Sequence, residues 1–334
     1  MKIFRISIAI IIISMASCKT KEEKTIGSIE RIDPELNSIV SENAKIEIIA
    51  EGYEWSEGPV WVDSLNMLLF SDVPKNTIHK WTEEKGAEVY LTPSGYTGTA
   101  PSKSKEPGSN GLTLNAEGKL VICQHGDRRV SLMDAPLDNP APNFITLADA
   151  HDGKRFSSPN DAAFRNNGDL YVTDPPYGLP NQDTDSTKET TYNGVYRVAS
   201  TGFTTLLVDS LTRPNGIAFL PGHNTVIVAN SDPEKAIWYA FDITPNDSLI
   251  NARIFHDATT EAKTEKGLPD GFKVDKQGNV FASGPGGIWI FNKDGKVLGK
   301  FKLPEATSNC ALSTDEKTLY VTMDMNVLRI KLRD

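Results

Sequence analysis

Residues 215–219, Asn215-Gly216-Ile217-Ala218-Phe219, place an oxygen-bearing side chain ahead of a short apolar run, and the sequence carries six versions of this phrase. The others are Glu57-Gly58-Pro59-Val60-Trp61, Asn110-Gly111-Leu112-Thr113-Leu114, Asn160-Asp161-Ala162-Ala163-Phe164, Asp270-Gly271-Phe272-Lys273-Val274 and Asn309-Cys310-Ala311-Leu312. Successive starts lie between 39 and 55 residues apart, close to the length of blade repeats. A turn follows each phrase, as in Ala116-Glu117-Gly118-Lys119, and then a strongly β-forming run at 67–71, 120–123, 170–173, 225–229, 280–283 and 318–322. Third strands are expected at 77–81, 130–133, 194–198, 236–242, 287–292 and 327–332, and fourth strands at 88–91, 144–148, 204–208, 252–256 and 297–303. No long segment beyond residue 45 has helical periodicity.

The sixth repeat lacks a fourth strand, whereas 45–50, ahead of the first repeat, has strand character and no partner. Joining them closes a ring and removes an open edge. The expectation is an all-β, six-bladed β-propeller over 45–334, with an N-terminal strand completing the last blade. A β-sandwich with coincidental turns leaves the six matched phrases unexplained.

Residues 1–17 read as a signal peptide: Lys2 and Arg5 give a positive start, 6–13 an apolar run too short to span a bilayer, and Met15-Ala16-Ser17 lead to Cys18. The pattern resembles a bacterial lipoprotein signal, with Met15 where leucine is usual. It implies a lipidated Cys18 and a protein held in the cell envelope, facing the periplasm or the outside, by its lipid alone. The polar stretch through residue 44, with Lys21-Glu22-Glu23-Lys24, is expected to be a flexible tether. Cys123 and Cys310 have no metal-ligand spacing and are expected to be buried; a disulfide between them is open. With a net charge of −9 and no basic cluster beyond pairs such as Arg128-Arg129, nucleic acid is an unsuitable partner. No protein partner is implied.

Equivalent phrases on the innermost strands would set Glu57, Asn110, Asn160, Asn215, Asp270 and Asn309 around the axis. Asn-Gly and Asp-Gly also mark turns, which accounts for any one copy. Turn chemistry does not call for Glu57, nor for an oxygen at every start. Converging oxygens without His or Cys suit a hard cation such as Ca²⁺, whose charge two carboxylates would match. Mg²⁺, Mn²⁺ and Zn²⁺ are alternatives.

These phrases carry a resemblance. Ser56-Glu57-Gly58-Pro59-Val60-Trp61, Ser158-Pro159-Asn160-Asp161, Arg213-Pro214-Asn215-Gly216, Leu268-Pro269-Asp270-Gly271 and Thr307-Ser308-Asn309-Cys310 resemble those of the SMP-30/gluconolactonase/LRE family, over roughly 46–334. The resemblance implies a six-bladed propeller with metal ligands at Glu57, Asn160, Asn215 and Asp270. It implies an ion that polarises a lactone carbonyl while water attacks. Asp270 is then the favoured catalytic base, although a metal-bound aspartate is a weak base and can serve instead to position water. Asn110, His125 and Arg128 resemble segments at the channel mouth of bacterial gluconolactonases and are the substrate-binding candidates. His125 reads equally as a hydrogen-bonded loop histidine, and Arg128-Arg129 as a solvated pair. Tyr177 either flanks the pocket or packs beside proline. Ser158 stands where animal members carry arginine, so their sugar preferences do not transfer.

The sequence has no Gly-x-Ser-x-Gly, no His-Glu-x-x-His and no phosphate-cradling glycine loop. A metal-dependent lactonase acting on a small-molecule lactone is the leading expectation. An organophosphate-hydrolysing propeller is the runner-up, and a binding propeller merely rigidified by calcium is the non-enzymatic alternative.

Overall fold

Each repeat is apolar enough to need covering on both faces and too short to fold alone. In the computed structural model, which describes residues 24–333, six antiparallel sheets meet this need by packing against one another around an axis. From the axis outward, blade 1 comprises Ser56–Val62, Met67–Asp72, Thr77–Thr82 and Gly86–Leu91. Blade 2 comprises Ser109–Leu114, Leu120–Gln124, Arg129–Met133 and Phe144–Ala148. Blade 3 has Ala162–Phe164, Leu170–Asp174, Gly194–Val198 and Thr204–Val208, and blade 4 has Pro214–Phe219, Thr225–Asp232, Lys235–Ile243 and Leu249–Asp257. Blade 5 has Phe272–Val274, Val280–Gly284, Gly287–Phe291 and Val297–Lys302; blade 6 has Thr307–Leu312, Thr318–Met323 and Asn326–Lys331. Ile46–Glu51 pairs antiparallel with Asn326–Lys331, so an early strand completes the last blade as expected. Every innermost strand touches the next, and that of blade 6 touches that of blade 1.

Alternation along the second strands explains how one apolar run serves two interfaces. Leu69 packs between blades 1 and 2, while its neighbour Leu68 packs between blades 1 and 6. Leu170 and Tyr171 likewise divide between the two faces of blade 3, and Cys310 and Ala311 between those of blade 6. Six apolar clusters fill the six interfaces.

The tether expected through residue 44 is corrected from Lys24 onward. Lys24 and Ile26 exchange backbone hydrogen bonds with Ile48 and Ile46. Ser28–Arg31 then adds a fifth strand to blade 5, in register with Gly299–Lys302. A short 3-10 turn, Pro34–Ser38, follows, and Leu36, Ile39 and Val40 are buried beside Leu298 and Phe301. The segment is polar on average, but these few apolar side chains suffice to dock it. The signal peptide, Cys18 and residues 19–23 lie outside the described residues. Among the described residues, no helix is long and apolar enough to cross a membrane.

Candidate active site

The repeated phrase is where the innermost strands depart from regular pairing. In blades 1, 2 and 4 the register with the second strand slips between Glu57 and Val60, Ser109 and Leu112, and Pro214 and Ile217. Such irregularities bend a strand and re-aim a side chain. Hydroxyls then lock neighbouring blades at the same level. Ser71 Oγ donates to the Asn110 carbonyl at 2.9 Å, Thr173 Oγ1 to the Asn215 carbonyl at 2.6 Å, and Ser308 Oγ to the Ser56 carbonyl at 2.7 Å. The small residue after the oxygen-bearing one permits this approach: a Cβ on Gly216 would lie 2.3 Å from the Asp270 carbonyl oxygen.

Glu57, Asn110, Asn160, Asn215 and Asp270 consequently line one cavity of about 310 Å³ at the axis. Trp55, Glu106, Tyr177, Ser231 and Leu268 complete much of its wall. A larger hollow of about 600 Å³ on the outside of blade 1, between Trp61, Trp81 and Tyr320, contains none of the axial oxygens.

Four oxygens in the axial wall, Glu57 Oε2, Asn110 Oδ1, Asn160 Oδ1 and Asn215 Oδ1, are buried without a hydrogen-bond partner. Unsatisfied buried acceptors are costly, and several around one small space fit a cation. Burial raises the carboxyls of Glu57 and Asp270. Neighbouring anions, Asp161 for Glu57 and Glu57 for Asp270, raise them further. A divalent cation would reverse that penalty. Among the described residues no group of three or more His, Cys, Asp or Glu could hold a metal; the donor set is two carboxylates with amides. The residues present therefore fit a hard, oxygen-seeking ion.

Asn309, the sixth member of the ring, serves another purpose. Its Nδ2 donates to Glu57 Oε1 at 3.1 Å, and its Oδ1 accepts from Lys273 Nζ at 3.2 Å. Asp161, buried behind the cavity, leaves Oδ2 unpartnered 4.0 Å from that ammonium.

Of the three substrate-binding candidates, Asn110 lines the cavity, and His125 and Arg128 do not. His125 is wholly buried. Arg128 donates Nε to the Phe156 carbonyl at 2.6 Å and Nη1 to the Thr187 carbonyl at 3.1 Å, so it ties loops together. Glu106 and Trp55 belong to the wall without any motif to announce them, and Tyr177 flanks the pocket. Cys123 and Cys310 are buried and free.

Comparison with known proteins agrees with this fold. A gluconolactonase of Zymomonas mobilis is 39% identical over 314 residues, covering 92% of this chain and 87% of its own. A pentonolactonase of Haloferax volcanii is 28% identical over 272 residues, covering 80% of each. Among solved structures, a gluconolactonase of Xanthomonas campestris superposes with a TM-score of 0.79 at 26% identity, covering 95% of this chain and all of that one. The model of the SMP-30/gluconolactonase/LRE-like region matches residues 55–324, from the wall residue Trp55 to the last blade, and the chain belongs to that family.

Proposed function

We propose that this protein hydrolyses lactones at the axial cavity, using a divalent cation, Ca²⁺ first among the alternatives, held by Glu57, Asn160, Asn215 and Asp270. The observation that carries the reading is the set of unpartnered oxygens, Glu57 Oε2, Asn160 Oδ1 and Asn215 Oδ1, in one small cavity. The likeness to a gluconolactonase and a pentonolactonase supports the substrate class.

When bound, the cation supplies Lewis-acid polarisation of the lactone carbonyl and stabilises the charge that develops on its oxygen. The chain does the rest. Asn110 stands in the same wall with its Oδ1 free and binds a hydroxyl of the substrate. Burial pushes the Tyr177 phenol well above its usual range, so it stays protonated and donates. Trp55 and Leu268 present apolar surface that excludes bulk water from part of the cavity. Asp270, whose basicity falls when it holds a cation, orients the attacking water rather than removing its proton.

The test is a panel of aldonolactones, aliphatic lactones, aryl esters and phosphotriesters, run on metal-loaded and chelated protein. Metal-dependent opening of aldonolactones is expected, and chelation should abolish it reversibly. Turnover confined to phosphotriesters would overturn the lactone assignment.

We also infer that the protein is a lipoprotein, cleaved before Cys18 and lipidated there, on the pattern of residues 1–18. Cys18 and Thr25, which bridges to Glu47, are seven residues apart, so the lipid would hold the propeller within about 25 Å of chain. Metabolic labelling with a fatty acid, present in the wild type and absent in Cys18→Ser, is the expected result.

A further inference from the structure

The connection between blades 1 and 2 brings to the cavity a carboxylate that no innermost strand supplies. Glu106 lines the wall, and the loop that carries it is fastened at both ends. At its start, Asn76 Oδ1 accepts from the backbone N–H groups of Ser94, Gly95 and Tyr96 at 3.1, 2.7 and 3.0 Å. At its end, the Gly108 N–H donates to the Val73 carbonyl at 2.9 Å. The carbonyls of Gly108 and Pro107 accept from the N–H groups of His125 and Gly126 at 3.1 and 3.2 Å. The backbone beside Glu106 is thereby zipped to the backbone of His125, the pre-organisation a working side chain requires.

The imidazole of His125 lies behind this carboxylate, its Nδ1 3.8 Å from Glu106 Oε2. It is wholly buried, and neither ring nitrogen has a well-formed hydrogen bond; beyond the carboxylate, its polar contact is with the Glu106 backbone. The loop after Asp174 closes on its other side. A Cβ on Gly178 would fall 2.7 Å from the Cβ atoms of both His125 and Ser158, so glycine is what lets the loop pack there. An unpartnered buried polar group costs about 1–3 kcal/mol and calls for an explanation. The Glu106 carboxylate, 3.8 Å from Nδ1 and reached by a small approach with no water between, provides it.

We propose that Glu106 is the proton carrier of the site and that His125 is the residue that positions it. The proposal rests on the lactone-opening reading and supplies the group that reading lacks. Water adds to the carbonyl carbon of the lactone and gives a proton to the Glu106 carboxylate. The bond from that carbon to the ring oxygen then breaks, and Glu106 returns the proton to the departing oxygen. The product is a hydroxy acid, and Glu106 ends as it began.

Position and environment both favour Glu106. Glu57 and Asp270 are engaged as ligands and are weakened as bases, which leaves Glu106 as the remaining carboxylate in the wall. Desolvation pushes its carboxyl up to about 7 with no cation in the cavity, and a bound cation would draw it down toward the anionic form that takes a proton from water. Its side chain keeps 38% of its surface exposed, so it can exchange that proton with solvent. Burial takes His125 down to about 4, so it faces Glu106 as a neutral imidazole able to offer an N–H. The other titratable groups around the cavity are Glu57, Asp270 and Tyr177, and no lysine or arginine is in its wall.

The experiment compares wild type with Glu106→Gln and Glu106→Ala, all metal-loaded. Glu106→Gln should lose about 10²–10³ in kcat, with KM, cation affinity and melting temperature close to wild type. The acid limb of the wild-type pH profile should be missing in the variant. Formate should rescue Glu106→Ala and not Asp270→Ala, a response that a merely structural role would not give. Infrared titration without substrate should show, in the difference between wild type and Glu106→Gln, a carboxylic-acid band that is lost as the pH rises, and at lower pH with the cation than without it. That band decides the state of Glu106 even in a protein that opens no lactone, so failure of the substrate assignment is seen separately. Wild-type kcat in Glu106→Gln, an unchanged band, or loss of the cation from that variant would each overturn the proposal.

Discussion

Asn309 Nδ2 donates to Glu57 Oε1 at 3.1 Å, across 252 residues of sequence, and so joins the last blade to the first at the axis. The bond occupies one carboxylate oxygen and leaves Oε2 facing the cavity without a partner. Groups that orient a metal ligand through its second atom typically account for 10–100-fold in affinity. Asn309→Ala should therefore weaken cation binding by about that factor, read by calorimetric titration. Affinity equal to wild type would show that Glu57 is held by other contacts.

Lys273 brings a positive charge from blade 5 to the side of Asp161. Besides Glu106 in the wall, three carboxylates, Glu57, Asp161 and Asp270, are gathered in the channel, and a divalent cation would neutralise two. The ammonium of Lys273, 4.0 Å from Asp161 Oδ2, offsets the third. Breaking a buried pair on one side costs several kcal/mol, but Lys273 keeps 31% of its side-chain surface exposed, which screens the effect. Lys273→Met is expected to destabilise the metal-loaded protein by about 1–2 kcal/mol, measured by urea unfolding at neutral pH. No change in the midpoint would remove Lys273 from the charge balance.

The six phrases made the blades legible because each combines a turn, a fixed oxygen and a strand with two buried faces. The axial residues followed from the same repetition, since one position recurring on every innermost strand must recur around the axis. Glu106 had no such signal. It comes from a polar loop, between Lys105 and Pro107, and reaches the cavity only because Asn76 and the backbone of His125 fasten that loop. The resemblance sets His125 and Arg128 at the mouth, whereas the loop around Gly178 packs on His125, and the Phe156 and Thr187 carbonyls hold Arg128, which no local pattern encodes. The N-terminal segment misled for a compositional reason. Its average polarity concealed Leu36, Ile39 and Val40, whose spacing matters more than their number.

Leu36 tests that last correction. Its side chain is wholly buried against blade 5, where a Cβ on Gly299 would come within 2.6 Å of its Cδ2. Leu→Ala changes at such sites cost about 2–5 kcal/mol through lost transfer energy and the cavity left behind. Leu36→Ala is expected to lower stability by that order, whereas Ser38→Ala, at an exposed hydroxyl of the same turn, should change it by less than about 1 kcal/mol. Equal melting temperatures for wild type and Leu36→Ala would return this segment to the role of a tether.

His125 makes a prediction about stability and pH that is independent of turnover. Burial lowers its imidazole to about 4, outweighing a hydrogen bond with the Glu106 backbone, while the unfolded chain would hold the ordinary value near 6.5. Above about pH 6.5 both states are neutral, and the residue adds no slope. Between roughly 6.5 and 4 the unfolded state takes up a proton that the folded state refuses, so unfolding gains protons and stability falls as the pH falls. By pH 4.5 the loss from this one group amounts to about 2–3 kcal/mol. Other groups in the channel, with raised carboxyls, tilt the other way, so wild type alone does not isolate the effect. The comparison that does is wild type against His125→Asn, both with chelator, by urea unfolding from pH 7 to pH 4.5. Asparagine has nothing to titrate there, so the variant should lose about 2–3 kcal/mol less across that range, whatever its stability at pH 7. Parallel curves would mean that His125 accepts its proton in the folded state, and the imidazole behind Glu106 would then be a cation rather than a neutral donor.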